Sequence, residues 1–307
     1  LMRALLIVNP HATSTSERRR DLLAHALAGV VSLRVAHTAS RGHAAHLAAA
    51  AADSGVDLVV VHGGDGTVNE VVNGLMYRGV RPDIPLLGVV PGGSTNVFAR
   101  ALGLSNDPTV ATEQILEGLS AGRSRRVGLG RVNDRYFTFN AGLGLDAETV
   151  REVERHRSKG RSISNLLHVR MLLRQYLATD KRHPRLRLEI PGRPPVDGAF
   201  LVFASNVDPW TYLGQRPIRT NPETTAEGGL GLFAVTGLGP LTTAAVSLQL
   251  LRGTEHPRSR RVFRADDTAG ATVTADRPVD LQVDGDHLGQ RTEVTFDAIP
   301  RAVRIVL

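Results

Sequence analysis

Within the first hundred residues, three short apolar runs each empty into a loop of small residues, and a helical pattern follows each loop. Ala4-Leu5-Leu6-Ile7-Val8 leads to Asn9-Pro10-His11-Ala12-Thr13. Asp57-Leu58-Val59-Val60-Val61 leads to His62-Gly63-Gly64-Asp65-Gly66-Thr67-Val68-Asn69-Glu70, and Leu86-Leu87-Gly88-Val89-Val90 to Pro91-Gly92-Gly93-Ser94-Thr95-Asn96. Alternating strands and helices call for a parallel, doubly wound sheet, because successive parallel strands need a crossover between them. Open sheets of that kind bind ligands outside the carboxyl ends of their strands.

The loops themselves suit phosphate. Glycines around Asp65 let the backbone approach a ligand closely, since no Cβ intervenes. The first N–H groups of the following helix carry partial positive charge and lack intrahelical partners. Ser94 and Thr95 open another helix with hydroxyls that either cap N–H groups or touch phosphate oxygens. A bare strand–turn–helix corner with one solvated Asp is the plainer alternative for the first glycine loop, and three such loops together weigh against it. Thr38-Ala39-Ser40-Arg41-Gly42-His43 supplies one more strand-end loop on the same side.

Apolar periodicity predicts strands at 3–8, 32–37, 57–61 and 86–90, and helices at 16–29, 41–54, 67–77, 95–102 and 109–121. After Gly122 the texture changes to short alternating runs at 126–132, 135–140, 185–190, 198–205, 230–236, 271–275, 279–283 and 292–296. Turn residues separate them, as in an antiparallel β-sandwich. Helical spacing interrupts this half at 162–178, where leucines sit beside Arg170 and Arg174, and at 241–252. At 307 residues two domains are expected, an α/β domain over 1–124 and a β-sandwich over 125–296.

Composition excludes several classes. No stretch approaches the ~18 consecutive apolar residues of a membrane span, and the first apolar run is too short for a signal sequence, so a cytoplasmic address is expected. There is no cysteine, hence neither disulfide nor thiolate chemistry. The net charge of +7 is uneven, with twelve Lys/Arg against four Asp/Glu in 151–193. Aromatics make up only 4% and do not interleave with the basic residues, which argues against a base-stacking nucleic-acid surface and leaves an anionic membrane surface or a merely solvated face. His43 and His46 lie one helical turn apart without a third ligand, so they read as surface histidines. Trp210 and Tyr212 either line an acyl-chain pocket or simply pack.

Gly63-Gly64-Asp65-Gly66-Thr67 with Asn69-Glu70, then Pro91-Gly92-Gly93-Ser94-Thr95-Asn96-x-Phe98-Ala99, then Val283-Asp284-Gly285-Asp286, resembles the diacylglycerol kinase catalytic domain family over essentially the whole chain. Bacterial soluble lipid kinases, grouped with sphingosine and ceramide kinases, are the relatives implied. The glycine–Asp loop alone is shared with NAD kinases and phosphofructokinases; its pairing with the second loop and the late acidic pair is more specific. The resemblance implies a three-layer α/β domain, to which the C-terminal segment 297–307 returns, a β-sandwich, and an active site in the cleft between them. It implies ATP and Mg²⁺, a lipid alcohol as acceptor, peripheral contact with an anionic membrane, and no nucleic acid; a homodimer is left open.

Carried over by motif, the nucleotide would touch Asn9, Pro10, His11, Ala12, Thr13, Thr38, Gly63, Gly64, Asp65, Gly66, Thr67, Val68, Asn69, Glu70, Gly93, Ser94, Thr95 and Asn96. The acceptor hydroxyl would be activated from the Asp284-Gly285-Asp286 turn, and Asp65 is the carboxylate suited to the Mg²⁺ that arrives with ATP. Asp-Gly is also a common hairpin signal, so both late carboxylates have a purely structural reading.

Three positions depart from the family pattern. Asp286 stands where Glu is usual, which retracts the carboxylate by about 1.5 Å; Asp284 and Asp286 both remain candidates for the base, with Asp286 preferred. Val97 and Gly228 each replace an Asp that, in bacterial relatives, belongs to an accessory Mg²⁺ network. Their joint loss predicts an enzyme without that ion. Three readings compete: a lipid kinase, an NAD kinase-like enzyme, and a non-catalytic nucleotide- or lipid-binding protein.

Overall fold

The computed structural model describes residues 1–12, 16–144, 147, 183–253 and 259–307. Its contacts divide the chain into two compact units, Leu1–Leu129 with Ile299–Leu307, and Gly130–Ala298.

The first unit runs β1 (Arg3–Val8), α1 (Glu17–Ala28), β2 (Ser32–His37), α2 (His43–Asp53), β3 (Leu58–Gly63), α3 (Asp65–Leu75), β4 (Leu86–Pro91), α4 (Val97–Ala101) and α5 (Pro108–Ser120). Its strands pair in parallel in the order β2-β1-β3-β4, and Ile305, near the end of the chain, pairs in parallel with Leu87. Ala4, Leu6 and Val8, Leu58 and Val60, and Val90 pack with Leu23 and Leu27 of α1 and Ile115 of α5. The alternate residues Leu5, Ile7, Val59, Val61 and Val89 are buried on the opposite face, where α2 contacts β1 and α3 contacts β3. Every residue of β3 is buried, as expected of a strand covered on both sides. The order reverses between β1 and β3, the kind of switch point beside which open α/β sheets bind ligands.

Helix starts follow from local chemistry. Ser16 caps α1, its side chain accepting from the Arg19 N–H at 3.3 Å. Asp107 caps α5, accepting from Thr109 N and Val110 N at 2.8 and 3.2 Å, with Pro108 in the first turn. The predicted strands at 57–61 and 86–90 extend further, to Gly63 and Pro91, because the ladder continues through His62–Val90 and Gly63–Pro91.

Among the described residues the strand pairs of the second unit are antiparallel. It contains the end of β5 (Ser124–Val132), then β6 (Arg135–Phe137), β7 (Asn140–Gly144), β8 (Leu186–Glu189), β9 (Val196–Ala199), β10 (Leu201–Ser205), a separate hairpin of β11 (Thr211–Leu213) and β12 (Arg216–Ile218), β13 (Leu230–Val235), α6 (Pro240–Leu251), β14 (Val262–Thr268), β15 (Gly270–Val283), and the part of β16 (Asp286–Val306) up to Ala298. β15 changes partner along its length: Thr272–Ala275 pair with β8, and Leu281–Val283 with β7. One core takes Leu186, Leu188, Phe137, Val273 and Phe296 from one layer and Ala141, Leu143, Val202, Ala204, Leu232 and Ala234 from the other, which is sandwich packing. Phe137 and Phe296 meet edge to face at 6.4 Å.

Some predicted runs differ in detail. Residues 271–275 and 279–283 form the single strand β15, whose register against β16 shifts between Thr274 and Val279. Run 198–205 splits into β9 and β10, and 135–140 into β6 and β7. The β11–β12 hairpin and β14 were not anticipated, because neither shows a clear period. The predicted helix 241–252 is α6, and the one at 162–178 lies outside the described residues.

Candidate functional site

At the switch point of the first unit, Asn9 ties the end of β1 to α3. Its side-chain N–H donates to the Thr67 hydroxyl at 3.0 Å, and its Oδ1 accepts from the His11 N–H at 2.9 Å. The Ala12 N–H returns to the Asn9 carbonyl at 3.2 Å, so Asn9–Ala12 is a closed turn with Pro10 and Ala12 half-buried and His11 exposed. Thr38 sits at the end of β2, its N–H bonded to the Val8 carbonyl at 2.9 Å. Thr13 lies outside the described residues.

The two glycine loops lie against each other. The Gly92 N–H donates to the Gly63 carbonyl at 2.9 Å. A Cβ on Gly93 would lie 2.7 Å from the Gly64 Cα, and one on Gly92 would lie 3.0 Å from the Gly63 Cα. These glycines are therefore required by loop-against-loop contact. Gly64 is the N-cap of α3 with an extended backbone and no side-chain cap, so the first turn of α3, with Asp65 and Gly66, presents N–H groups not satisfied by a capping side chain. Asp65 is half-buried.

Several predicted residues serve the scaffold. Asn96 holds a left-handed backbone at φ 49°, which Asn tolerates, and is buried. Its Oδ1 accepts from the Gly93 N–H at 2.9 Å, while its amide donates to the Gly93 carbonyl and to Asn106 Oδ1, both at 2.8 Å. That leaves Ser94, exposed, and Thr95, half-buried, at the loop surface, their hydroxyls 3.4 Å apart. Val68 and Asn69 are buried, and Asn69 accepts from the Asn73 amide. Glu70 is the unexpected one. Its two oxygens accept from the Gly42 N–H at 2.8 Å and the Ala44 N–H at 3.2 Å, so it caps α2 from α3 and fixes the loop that carries Thr38. Gly42, the N-cap residue of α2, has a left-handed backbone and no side chain to do this itself.

His62, the residue before the glycine loop, is 1% exposed and its Nδ1 lies 3.2 Å from the Val90 carbonyl. Burial pushes its pKa below the ordinary value; the Val90 carbonyl opposes that shift and Arg20 adds to it.

In the second unit, Asp284 and Gly285 are the two-residue turn between β15 and β16, with φ of 48° and 80° and Val283 paired to Asp286. Two successive positive φ values are the requirement of a type I′ hairpin. Yet Asp284 is no solvated turn acid: it is 4% exposed and accepts four hydrogen bonds. Oδ2 takes the Thr138 N–H at 2.6 Å and hydroxyl at 2.8 Å; Oδ1 takes the Phe139 and Asn140 N–H groups at 3.0 and 3.1 Å. Gln282 continues this network, donating to Asn140 Oδ1 at 2.7 Å and accepting from the Gly285 N–H at 3.1 Å. Asn140 in turn donates to the Trp210 carbonyl at 3.0 Å, and Trp210 stacks on Phe203 at 5.3 Å. Asp286, two residues on, is half-buried. The sequence pointed to both carboxylates but missed Thr138, Asn140 and Gln282. Strand alternation was the available signal, since Asp280 and Gln282 are buried on the face of β15 opposite Val279, Leu281 and Val283.

At the positions where the accessory ion was expected to be lost, Val97 is buried at 1% exposure as an apolar residue of α4. A Cβ on Gly228 would lie 3.4 Å from Asp267 Oδ1, which accepts from the Gly229 N–H at 2.7 Å.

The first unit is thus an open parallel α/β sheet with two interlocked glycine loops at its switch-point edge. Residues 3–132 match the family model of the diacylglycerol kinase catalytic domain. A diacylglycerol kinase of Bacillus subtilis (strain 168) is 40% identical over 159 residues, 50% of this chain and 49% of that protein. One from Staphylococcus epidermidis is 40% identical over 140 residues, 44% of this chain and 41% of the relative. The chain thus spans about half the length of the curated relatives it matches or less. A solved diacylglycerol kinase from Bacillus anthracis shares the fold at TM-score 0.70, with 21% identity over 99% of this chain and 96% of that one. An NAD kinase from Archaeoglobus fulgidus in complex with ATP is more distant in fold, at TM-score 0.54 and 11% identity over 100% and 94%.

Proposed function

We propose that this protein is an ATP-dependent lipid kinase that phosphorylates the hydroxyl of diacylglycerol or a related long-chain lipid alcohol. The observation that carries the reading is the pair of interlocked glycine loops at the ends of β3 and β4, within the segment that matches the diacylglycerol kinase catalytic domain model.

Phosphoryl transfer asks a protein for positioning, charge neutralisation and a proton acceptor. The N–H groups at the start of α3, the Asn9 turn, Thr38 and the Ser94–Thr95 hydroxyls hold the phosphates. Among the described residues no group of three or more His, Asp or Glu is placed to hold a metal, and Asp65 supplies a carboxylate at the loop, which suits an ion carried in by the nucleotide. Mg²⁺ bound there would neutralise phosphate charge.

The late carboxylates divide the work. All the oxygen positions of Asp284 are engaged by donors, so it shapes the turn, and Asp286 is the general base. The acceptor O–H gives its proton to Asp286 while its oxygen bonds the γ-phosphorus. The bond from that phosphorus to the bridging oxygen breaks, and ADP leaves.

Transfer of labelled γ-phosphate from ATP to a panel of diacylglycerol, monoacylglycerol, sphingoid base, polyprenol and NAD tests this reading. Label in a lipid supports it. Label in NAD alone would favour the second kinase reading, for which the shared fold with an NAD kinase speaks. ATP binding without any transfer would leave a binding protein.

A further inference from the structure

Helix α6 is an apolar helix of the second unit that buries little of itself. Of its twelve residues only Val246 is buried. Leu241 is 88% exposed, Leu248 47% and Leu251 43%, and Ala244 and Ala245 are exposed with them. Positions 241, 244, 245, 248 and 251 recur at helical spacing, so they share one side of the helix. The β11–β12 hairpin adds Leu213, 41% exposed. Its strand partner Arg216 donates to the Leu251 carbonyl at 2.8 Å, which fixes the hairpin to the carboxyl end of α6.

Charge is distributed in a particular way around this face. No charged residue occurs from Thr236 to Leu251, and Arg252, Arg260 and Arg261 flank that stretch on the carboxyl side in sequence. Arg216 and Arg252 are exposed at the carboxyl end of the helix. Arg261 is exposed at the other end, where its carbonyl accepts from the Thr236 N–H at 2.8 Å, and Arg260 precedes it. A leucine face with guanidinium groups at both ends can set its apolar side among acyl chains while the flanking cations reach phosphate depth.

We propose that α6 and the β11–β12 hairpin dock this protein on an anionic lipid bilayer. The occupant follows from charge. A second copy packed about a two-fold axis would bring one arginine rim against another, and like charges across an interface disfavour that contact. Lipid phosphates complement the same rim. The docking surface deepens the lipid-kinase reading by naming how the chain reaches an acceptor that stays in a membrane, but it stands on exposure and charge alone.

Flotation of the full chain with phosphatidylcholine vesicles, with and without phosphatidylglycerol, tests the surface. ATP and acceptor lipid are left out, so failure of docking and failure of kinase activity are read separately. The wild-type chain is expected to float with the anionic vesicles and to lose binding steeply as salt rises. Leu241→Ser with Leu248→Ser lowers the partition coefficient by at least about tenfold at every salt concentration. Arg252→Gln, Arg260→Gln and Arg261→Gln together remove the preference for anionic vesicles. Both leucines are exposed, and thermal melting confirms that the variants fold. As a second readout on the wild-type chain, amide exchange in 240–251 slows when anionic vesicles are added. Unchanged flotation of the leucine variant, or unchanged exchange in α6, would overturn the proposal. So would light scattering that shows a dimer split by the leucine pair while vesicle binding stays the same.

Discussion

Asp284 Oδ2 receives both the backbone N–H and the hydroxyl of Thr138, at 2.6 and 2.8 Å, while its other oxygen receives two further backbone N–H groups. A buried carboxylate so fully engaged is a structural anchor for the start of β7, and this separates it from Asp286 two residues away. Removing it strands three backbone donors and a hydroxyl in the interior, and each lost bond to a charged acceptor is worth about 1.5–3 kcal/mol. Asp284→Ala is expected to destabilise the protein by at least about 3 kcal/mol in denaturant titration. Asp286→Asn should cost less stability than Asp284→Ala and lower the transfer rate by roughly 10²–10⁴, the range for loss of a general base. Asp286→Glu, which restores the usual family residue, should keep activity within about tenfold of wild type. Equal stability losses at positions 284 and 286 would contradict this division.

The glycine loops give a second prediction. A methyl group on Gly93 would stand 2.7 Å from the Gly64 Cα, which is backbone and has no rotamer to yield. Gly93→Ala is therefore expected to push the loops apart, destabilise by about 1–3 kcal/mol, and weaken ATP binding measured by calorimetry. Gly103→Ala is a weaker control, because a Cβ there would meet nothing within 4 Å although its φ of 88° is unfavourable for alanine. Its effect should appear in stability without a matching loss of nucleotide affinity.

Glu70 illustrates how far the sequence could be read. Its place directly after the glycine loop put it among the residues expected to meet nucleotide, whereas its oxygens meet the Gly42 and Ala44 N–H groups. The strands of the first unit were legible because continuous apolar runs such as 58–61 leave few alternatives to a strand buried on both sides. The capping contact was not, since residues 28 and 26 positions apart in sequence meet only after α2 and α3 have packed. The same holds for Asp284 and Thr138, which lie 146 positions apart. The long β15 was read as two runs because the register shift after Thr274 interrupts its alternation.

Because Glu70 acts as the cap of α2, Glu70→Ala should cost about 1–2 kcal/mol, as loss of a capping side chain does. Glu70→Gln, which keeps one acceptor, should cost less. Amide exchange at Gly42 and Ala44 measured by NMR checks the cause directly: both should exchange faster in the alanine variant. Unchanged protection there, with nucleotide affinity lost, would return Glu70 to the ligand.

His62 supplies a pH dependence whose sign is fixed by burial. Its pKa is held below the ordinary 6.5, so between those two values the unfolded chain carries a proton that the folded chain does not. Stability then rises with pH across that window and is lost as pH falls from about 6.5 toward the folded value, with a slope no steeper than about 1.4 kcal/mol per pH unit for one proton. His62→Gln keeps a donor for the Val90 carbonyl without a titrating ring. Urea titrations at about pH 5, 6, 7 and 8 should show this component of the slope in the wild-type protein and its absence in the variant. An identical slope in both would place the titrating group elsewhere.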